Sequence, residues 1–310
     1  MWGVLLTCGA VGVATLAGFA GRLSWLGELA CHFRMQYALL SVATAAILAA
    51  LRNYKFSLIS GGIALVNLAL IVPLYFPGNM PDANAKTLKL RILSLNVHTS
   101  NREYRRVIEY VREKSPDVAV FYEVSENWGN QLEQLSDLFP YHKTLLNRAR
   151  PAFGLAIYSR LPLWDQQSLD LGGDNPAIIA EMILESKVVT IFGVHPDSPK
   201  SPSQTERRNR QLSQLGKLIA EETRPVILLG DLNTTSWSGV FQDLLRTTGL
   251  HDTRQGYGIE ASWPSGLGRF GIPIDHCLVS PEIKVRRHQI GADVGSDHRP
   301  VVIDLLLDVE

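Results

Sequence analysis

Charge is nearly absent from the first quarter of this chain. Of residues 1–76 only Arg22, Glu28, Arg34, Arg52 and Lys55 are charged, too sparse a set for a water-soluble globular fold. The remainder lacks a basic surplus: its 234 residues hold 26 Lys and Arg against 29 Asp and Glu, a net charge of −3. Tight nucleic-acid binding usually rests on a basic surface, so no strong nucleic-acid signal is present. Cysteine is scarce too. Cys8, Cys31 and Cys277 are too few for a disulfide framework and lack the spacing of a zinc site, so each reads as a small buried hydrophobe. There is no internal repeat and no low-complexity tract, and the composition excludes a disordered or collagen-like chain. The averages over all 310 residues, 46% hydrophobic and zero net charge, describe neither part.

What the first part does contain is long apolar runs. Residues 1–21, 35–51 and 56–81 carry no charge, and each run approaches or exceeds the length that crosses about 30 Å of hydrocarbon at roughly 1.5 Å per residue. Small residues such as Gly9, Ala10, Gly12, Ala43 and Ala45 suit close helix packing in a membrane. The first run lacks the basic start of a signal peptide, and two more runs follow it. Three transmembrane helices are therefore expected, at about 2–21, 35–51 and 57–76, in a multi-pass protein whose first partner is the lipid bilayer. Arg52 and Lys55 make the second loop dense in positive charge, while Arg22 and Arg34 in the first are accompanied by Glu28. The positive-inside rule then favours the second loop in the cytoplasm and the large domain outside it, with Lys86, Lys89 and Arg91 arguing the other way.

A turn-rich linker at 77–88 leads into a domain spanning 89–310, long enough for one large core. Alternation predicts strands at 90–97, 118–122, 153–158, 177–184, 188–194, 226–230, 274–279, 285–292 and 301–306, with a hairpin turn at 185–187. Helical spacing predicts helices at 102–114, 128–138 and 203–222. Strands and helices mix without strict alternation, which points to an α/β sandwich rather than a barrel. Polar residues recur at strand ends: Asn96, Glu123, His195, Asp231 with Asn233, Asp275, and Asp297 with His298. Rigid apolar strands that end in a carboxylate, amide or imidazole hold reactive groups at one rim of a sheet. Glu, Asp and Asn oxygens are hard ligands suited to Mg²⁺, and a histidine beside an acid can protonate a leaving oxygen or stabilise charge on a phosphoryl group.

Taken in order, Leu95-Asn96-Val97, Glu123, Gly193-Val194-His195-Pro196, Gly230-Asp231-Leu232-Asn233, Ile274-Asp275-His276 and Gly295-Ser296-Asp297-His298-Arg299-Pro300 resemble the motifs of the endonuclease/exonuclease/phosphatase superfamily. The resemblance covers nearly the whole large domain. It implies a four-layered α/β sandwich of the DNase I type with the site at one rim. It further implies Asn96 and Glu123 as ligands of Mg²⁺ (Mn²⁺ being the alternative), with Asp297 at the metal or just behind it. Asp231 would align or deprotonate water, Asn233 would hold the phosphate and Asp231, and His195 would donate to a phosphoryl oxygen. His298, oriented by Asp275, would stabilise the transition state.

Each residue also has a structural reading. Asn96 and Asn233 suit turns, Glu123 a helix cap, and His195, Asp275 and His276 satisfied polar positions. Arg207, Arg208 and Arg210 read as a solvated helix face, and Trp263-Pro264 as pocket wall or core. The functional expectation is a membrane-anchored, Mg²⁺-dependent phosphoesterase acting on a phosphate ester or pyrophosphate, with a lipid-linked substrate favoured by the tether. The three helices followed by this domain are similar to membrane members of the superfamily associated with teicoplanin resistance. A nuclease is the alternative enzyme, and a catalytically inactive tethered module the alternative of another class. No protein partner can be inferred.

Overall fold

A computed structural model describes residues 1–76, 87–150, 153–173, 175–185 and 187–308. The alternation that begins after the linker becomes strand β1 (Thr87–Asn96), in which Leu90 and Ile92 face one core while Leu93 and Leu95 face another. A strand buried on both faces in this way sits between layers. The other strands are β2 (Val118–Tyr122), β3 (Tyr141–Leu145), β4 (Leu155–Ser159), β5 (Leu163–Asp170), β6 (Pro176–Leu184), β7 (Lys187–Val194), β8 (Val226–Asp231), β9 (His251–Asp252), β10 (Asp275–Val279), β11 (Ile283–Ile290) and β12 (Val301–Asp308). They form two six-stranded sheets, ordered β11-β12-β1-β2-β4-β3 and β5-β6-β7-β8-β10-β9.

Ile92, Val120, Ile178, Ile191, Ile227 and Ile303 fill the space between the sheets. Helices α5 (Tyr104–Lys114) and α6 (Glu126–Leu132) cover the outer face of the first sheet through Val107, Val111 and Trp128, which pack on Phe121. Helices α7 (Pro202–Ala220) and α8 (Gly239–Thr248) cover the second through Leu212, Leu215, Ile219, Phe241 and Leu244. The expected four-layered sandwich is therefore the one observed. Strand direction decides which strand ends meet. β1 runs parallel to β2 and β7 parallel to β8, whereas β12 is antiparallel to β1 and β10 antiparallel to β8. The ends of the first four strands and the beginnings of the last two consequently share one rim.

The N-terminal helices are α1 (Trp2–Ala17, continued by a 3₁₀ turn to Ala20), α2 (Trp25–Cys31), α3 (Arg34–Ala50) and α4 (Tyr54–Ile71, continued by a 3₁₀ turn to Tyr75). Among the described residues two segments, Trp2–Ala20 and Tyr54–Tyr75, are long and apolar enough to cross a membrane, and the count reaches three only if α2 and α3, bent by 69°, make one span. The expected first loop, 22–34, thus contains a helix. Ser24 caps it by accepting from the Gly27 N–H at 3.1 Å. Gly27 is required there, since a Cβ would lie 2.7 Å from the Ala20 backbone. Leu6, Leu58 and Leu65 project outward, while polar groups bond inward: Arg34 Nη1 donates to Thr15 O at 2.9 Å and Asn67 Nδ2 to Thr15 Oγ1 at 2.9 Å. Such interhelical bonds are the usual glue between apolar helices.

Most of the linker, 77–86, and Ser186 of the hairpin turn lie outside the described residues. The linker's last two positions, Thr87 and Leu88, already belong to β1, paired with Asp308 and Leu307.

Candidate active site

Asn96 is the last residue of β1, Glu123 follows β2, His195 follows β7, and Asp231 ends β8. Asp275 opens β10 directly opposite Asp231 in the ladder, and His298 precedes β12. The topology therefore delivers all of them to one rim. Gly230 permits this crowding: a Cβ there would lie 2.7 Å from Val194 O on the neighbouring strand.

Asp231 is at the centre. Its Oδ2 accepts from Asn96 Nδ2 at 3.0 Å and lies 3.5 Å from both His195 Nε2 and His298 Nε2, while its Oδ1 accepts from the Asn233 N–H at 3.1 Å. Burial pushes the Asp231 carboxyl above its usual range, against the opposing pull of the His298 and His195 charges. Asp275 Oδ2 lies 2.8 Å from His298 Nδ1. Burial disfavours the imidazolium of His298, but Asp275 and Asp231 outweigh it and raise its pKa from 6.5 to about 10. Burial alone would raise Asp275 as well; the charge and hydrogen bond of His298 instead hold it below the usual carboxylate range. His195 stacks on Phe153, with ring centroids 5.0 Å apart.

Glu123 adopts φ +58°, an unusual backbone for a glutamate. Its Oε1 accepts from Asn96 Nδ2 at 3.1 Å and its Oε2 from the Thr99 N–H at 3.1 Å. Burial would raise its pKa, yet His195 and these hydrogen bonds bring it below the ordinary value. Glu123 and Asp231 thus share the Asn96 amide, and among the described residues neither pairs with Lys or Arg. The two carboxylates are fitting oxygen ligands for a hard divalent cation, and Asn96 would add its Oδ1, which here accepts from the His98 N–H at 2.9 Å, only by turning its amide over. Asp231, Asp275 and His298 also bring ligand atoms within 4.8 Å of one another, but there His298 and Asp275 already bond each other. Asp297 stands at the edge. Its Oδ2 accepts from Trp263 Nε1 at 3.2 Å and its Oδ1 lies 3.3 Å from His98 Nδ1.

Asn233, with φ +50°, donates from Nδ2 to Pro196 O at 3.1 Å and so ties the loop after β8 to the loop after β7. Its own carbonyl accepts from Arg208 Nη1 at 2.8 Å. Arg208 corrects the expectation of a solvated face: it is 0% exposed, and its Nη2 donates to Glu28 of α2 at 2.6 Å. Arg207 is half-buried against Asp197, and only Arg210 is exposed, paired with Glu206. His276 is structural, with Nε2 2.8 Å from Thr234 O.

The rim opens into a cleft of about 300 Å³ whose lining includes Glu123, His195, Asp231, Asn233, Asp297 and His298. The lining also brings residues that no motif marked. Leu29, His32 and Phe33 come from α2 and its junction with α3, and Lys200 from the loop before α7. In the sequence this segment is only the loop 22–34 between apolar runs, with Glu28 its one acid and no sign that it packs on the site. Trp263 lines the cleft, as a wall rather than core. A larger cavity of about 590 Å³, between Met35, Tyr75 and Arg299, is lined by none of the expected catalytic or metal-binding residues.

The model of the endonuclease/exonuclease/phosphatase family matches residues 93–298. No curated protein sequence matches the chain. Among solved structures, an endonuclease/exonuclease/phosphatase family protein from Bacteroides thetaiotaomicron aligns with a TM-score of 0.60 at 17% identity, covering 72% of this chain and 99% of its own. TDP2 of D. rerio complexed with a single strand DNA product gives 0.58 at 17%, covering 70% and 98%. A mutant beta toxin from Staphylococcus aureus with bound magnesium ions gives 0.53 at 18%, covering 70% and 99%. At such identities these neighbours establish the fold. With the family model matching about two thirds of its length, the chain belongs to the endonuclease/exonuclease/phosphatase family of metal-dependent phosphoester hydrolases.

Proposed function

We propose that the protein is a membrane-anchored, Mg²⁺-dependent hydrolase of lipid-linked phosphoesters or pyrophosphates, with its catalytic domain outside the cytoplasm. The observation that carries the chemistry is the Asp275–His298–Asp231 chain beside Glu123 and Asn96. Glu123 and Asn96 would hold the cation, with Asp297 behind it. Bound there, Mg²⁺ would neutralise phosphate charge and lower the pKa of a water. Asp231, kept above the usual carboxylate range by burial, is suited to align and deprotonate the attacking water. Asn233 would hold a phosphate oxygen, and His195 would donate to another. His298 is charged at neutral pH, so it would stabilise the developing negative charge while Asp275 fixes its ring.

The membrane reading rests on the apolar lengths of the helices and on their docking. The α1–α2 turn, the start of α2, the start of α3 and the 3₁₀ end of α4 bond to the catalytic domain through Arg22–Asp243, Trp25–Pro199, Gln36–Phe270 and Gln255–Pro73. The α3–α4 turn lies at the far end. On this reading α1, α4 and the bent pair α2–α3 make the three crossings, with α2 the end of its pair that docks on the catalytic domain. Arg22 and Arg34 are engaged in contacts, whereas Arg52 and Lys55 are exposed at the far turn, which supports a cytoplasmic turn and an external domain.

The test is hydrolysis by the detergent-solubilised full-length protein of alkyl phosphodiesters, alkyl pyrophosphates and single-stranded DNA. Activity on the lipid-like compounds should vanish with EDTA and return with Mg²⁺. Asp231→Ala should lower the rate by about 10²–10⁴-fold. Equal rates for Asp231→Ala and wild type would overturn the proposal, and a preference for DNA would replace the lipid substrate with a nucleic acid.

A further inference from the structure

The cleft has two chemistries. Part of its lining is the catalytic rim; part is an apolar wall to which Leu29 and Phe33 of the α2–α3 junction contribute along with Ile272 and Ile274 of the catalytic domain. A hydrolase for small soluble esters has no use for an apolar wall contributed by helices long enough to meet a bilayer. Bonds on both sides fix this wall in place. Trp25 Nε1 donates to Pro199 O at 2.8 Å, His32 Nδ1 lies 3.0 Å from Thr235 Oγ1, and Glu28 accepts from Ser238 Oγ at 2.7 Å and from Arg208 at 2.6 Å. His32 is buried and lines the cleft, with its Nε2 3.9 Å from Glu28 Oε1. The wall is also open at its edge: Phe33 is 39% exposed, on the segment that leads into α3 with its outward Leu39 and Leu40.

From this we infer that the α2–α3 junction is a hydrocarbon-chain subsite. Leu29 and Phe33 receive the first carbons of the lipid tail while the phosphoester lies on Asp231 and His298, and the substrate enters sideways from the bilayer. The subsite deepens the lipid-phosphoester reading above and rests on it. It makes the helices part of the binding site rather than a tether alone.

The experiment uses full-length protein in detergent micelles and methyl, butyl and octyl phosphodiesters that share a p-nitrophenyl leaving group. Partition into micelles raises the apparent rate of longer esters for every variant alike. The decisive quantity is therefore the octyl-to-methyl ratio of kcat/KM, compared between variants. Leu29→Ala and Phe33→Ala should each lower that ratio about tenfold, the scale of trimming an apolar side chain that lines a pocket. Leu29→Met, which conserves volume, should keep it. Leu58→Ala, at a position 78% exposed on α4 and far from the cleft, should keep it too. An unchanged ratio in Leu29→Ala and Phe33→Ala, with hydrolysis intact, would overturn the subsite and leave the hydrolase standing. No turnover above Asp231→Ala for any ester would overturn the hydrolase and the subsite together.

Discussion

His298 is the residue on which the pH behaviour should turn. Its folded pKa is raised from 6.5 to about 10 by Asp275 and Asp231 against the cost of burial. A raised histidine stabilises the fold fully below its unfolded pKa, and that contribution is lost as pH rises from about 6.5 through about 10. The same titration removes the imidazolium needed for charge stabilisation, so the alkaline limb of kcat should fall near pH 10 on a soluble ester. Asp275→Asn deletes the nearer of the two acids, at 2.8 Å. The alkaline limb should then move down by at least about one pH unit, alongside a loss of about 10²-fold or more in kcat. A pH–rate profile of this variant that ended at the wild-type pH would remove Asp275 from that role. These residues were legible in the sequence because each flanks an apolar strand, and strand order carries them to a common rim. Arg208 was not. Helical spacing can name a face but cannot see that the arginine's carboxylate partner, Glu28, comes from 180 residues away.

At the scale of elements, the seam between α2 and α7 is held by that pair. Glu28 and Arg208 are both 0% exposed, and Glu28 also accepts from Ser238. Breaking a buried pair strands the remaining charge, which costs about 3–5 kcal/mol. Glu28→Ala should therefore lower the thermal unfolding midpoint of the solubilised protein. Because Arg208 also holds the Asn233 carbonyl, kcat should fall with it. Adding Arg208→Met to Glu28→Ala removes the orphaned charge and should recover most of the stability but not the activity. A double variant as unstable as the single one would show that packing of α2, not the charge, holds the seam. The strands that sequence patterning did not reveal share a cause. β3, β5 and β9 lie at sheet edges, where one side meets solvent and polar residues such as Asp165, Gln166 and Gln167 break the alternation. Central strands, apolar on both faces, keep a pattern that places their ends to within a few residues.

For the whole molecule the question is whether the helices do more than locate the domain. The two parts meet along a seam that runs from Arg22 on Asp243 to Trp237 Nε1 on Leu70 O, and it overlies the loop that follows Asp231. That loop carries Asn233, Thr235, Trp237 and Ser238, each bonded on the helical side or to Arg208. A chain consisting of residues 87–310 keeps both sheets, their core and helices α5 to α8, so it should fold. It would lose Glu28, leaving Arg208 without its acid, and His32, leaving Thr235 unbraced. Small displacements of a catalytic loop are expensive, about 10²-fold for a shift near 1 Å. The truncated domain should hydrolyse even the methyl ester at least tenfold more slowly than the full chain, through kcat rather than KM, since the methyl ester does not reach Leu29 or Phe33. The octyl ester should lose more, through KM as well. If the domain alone matched the full chain on both esters, the helices would be an anchor and nothing else. If only the octyl ester suffered, they would bind the tail without bracing the loop. The seam's geometry points to both losses together.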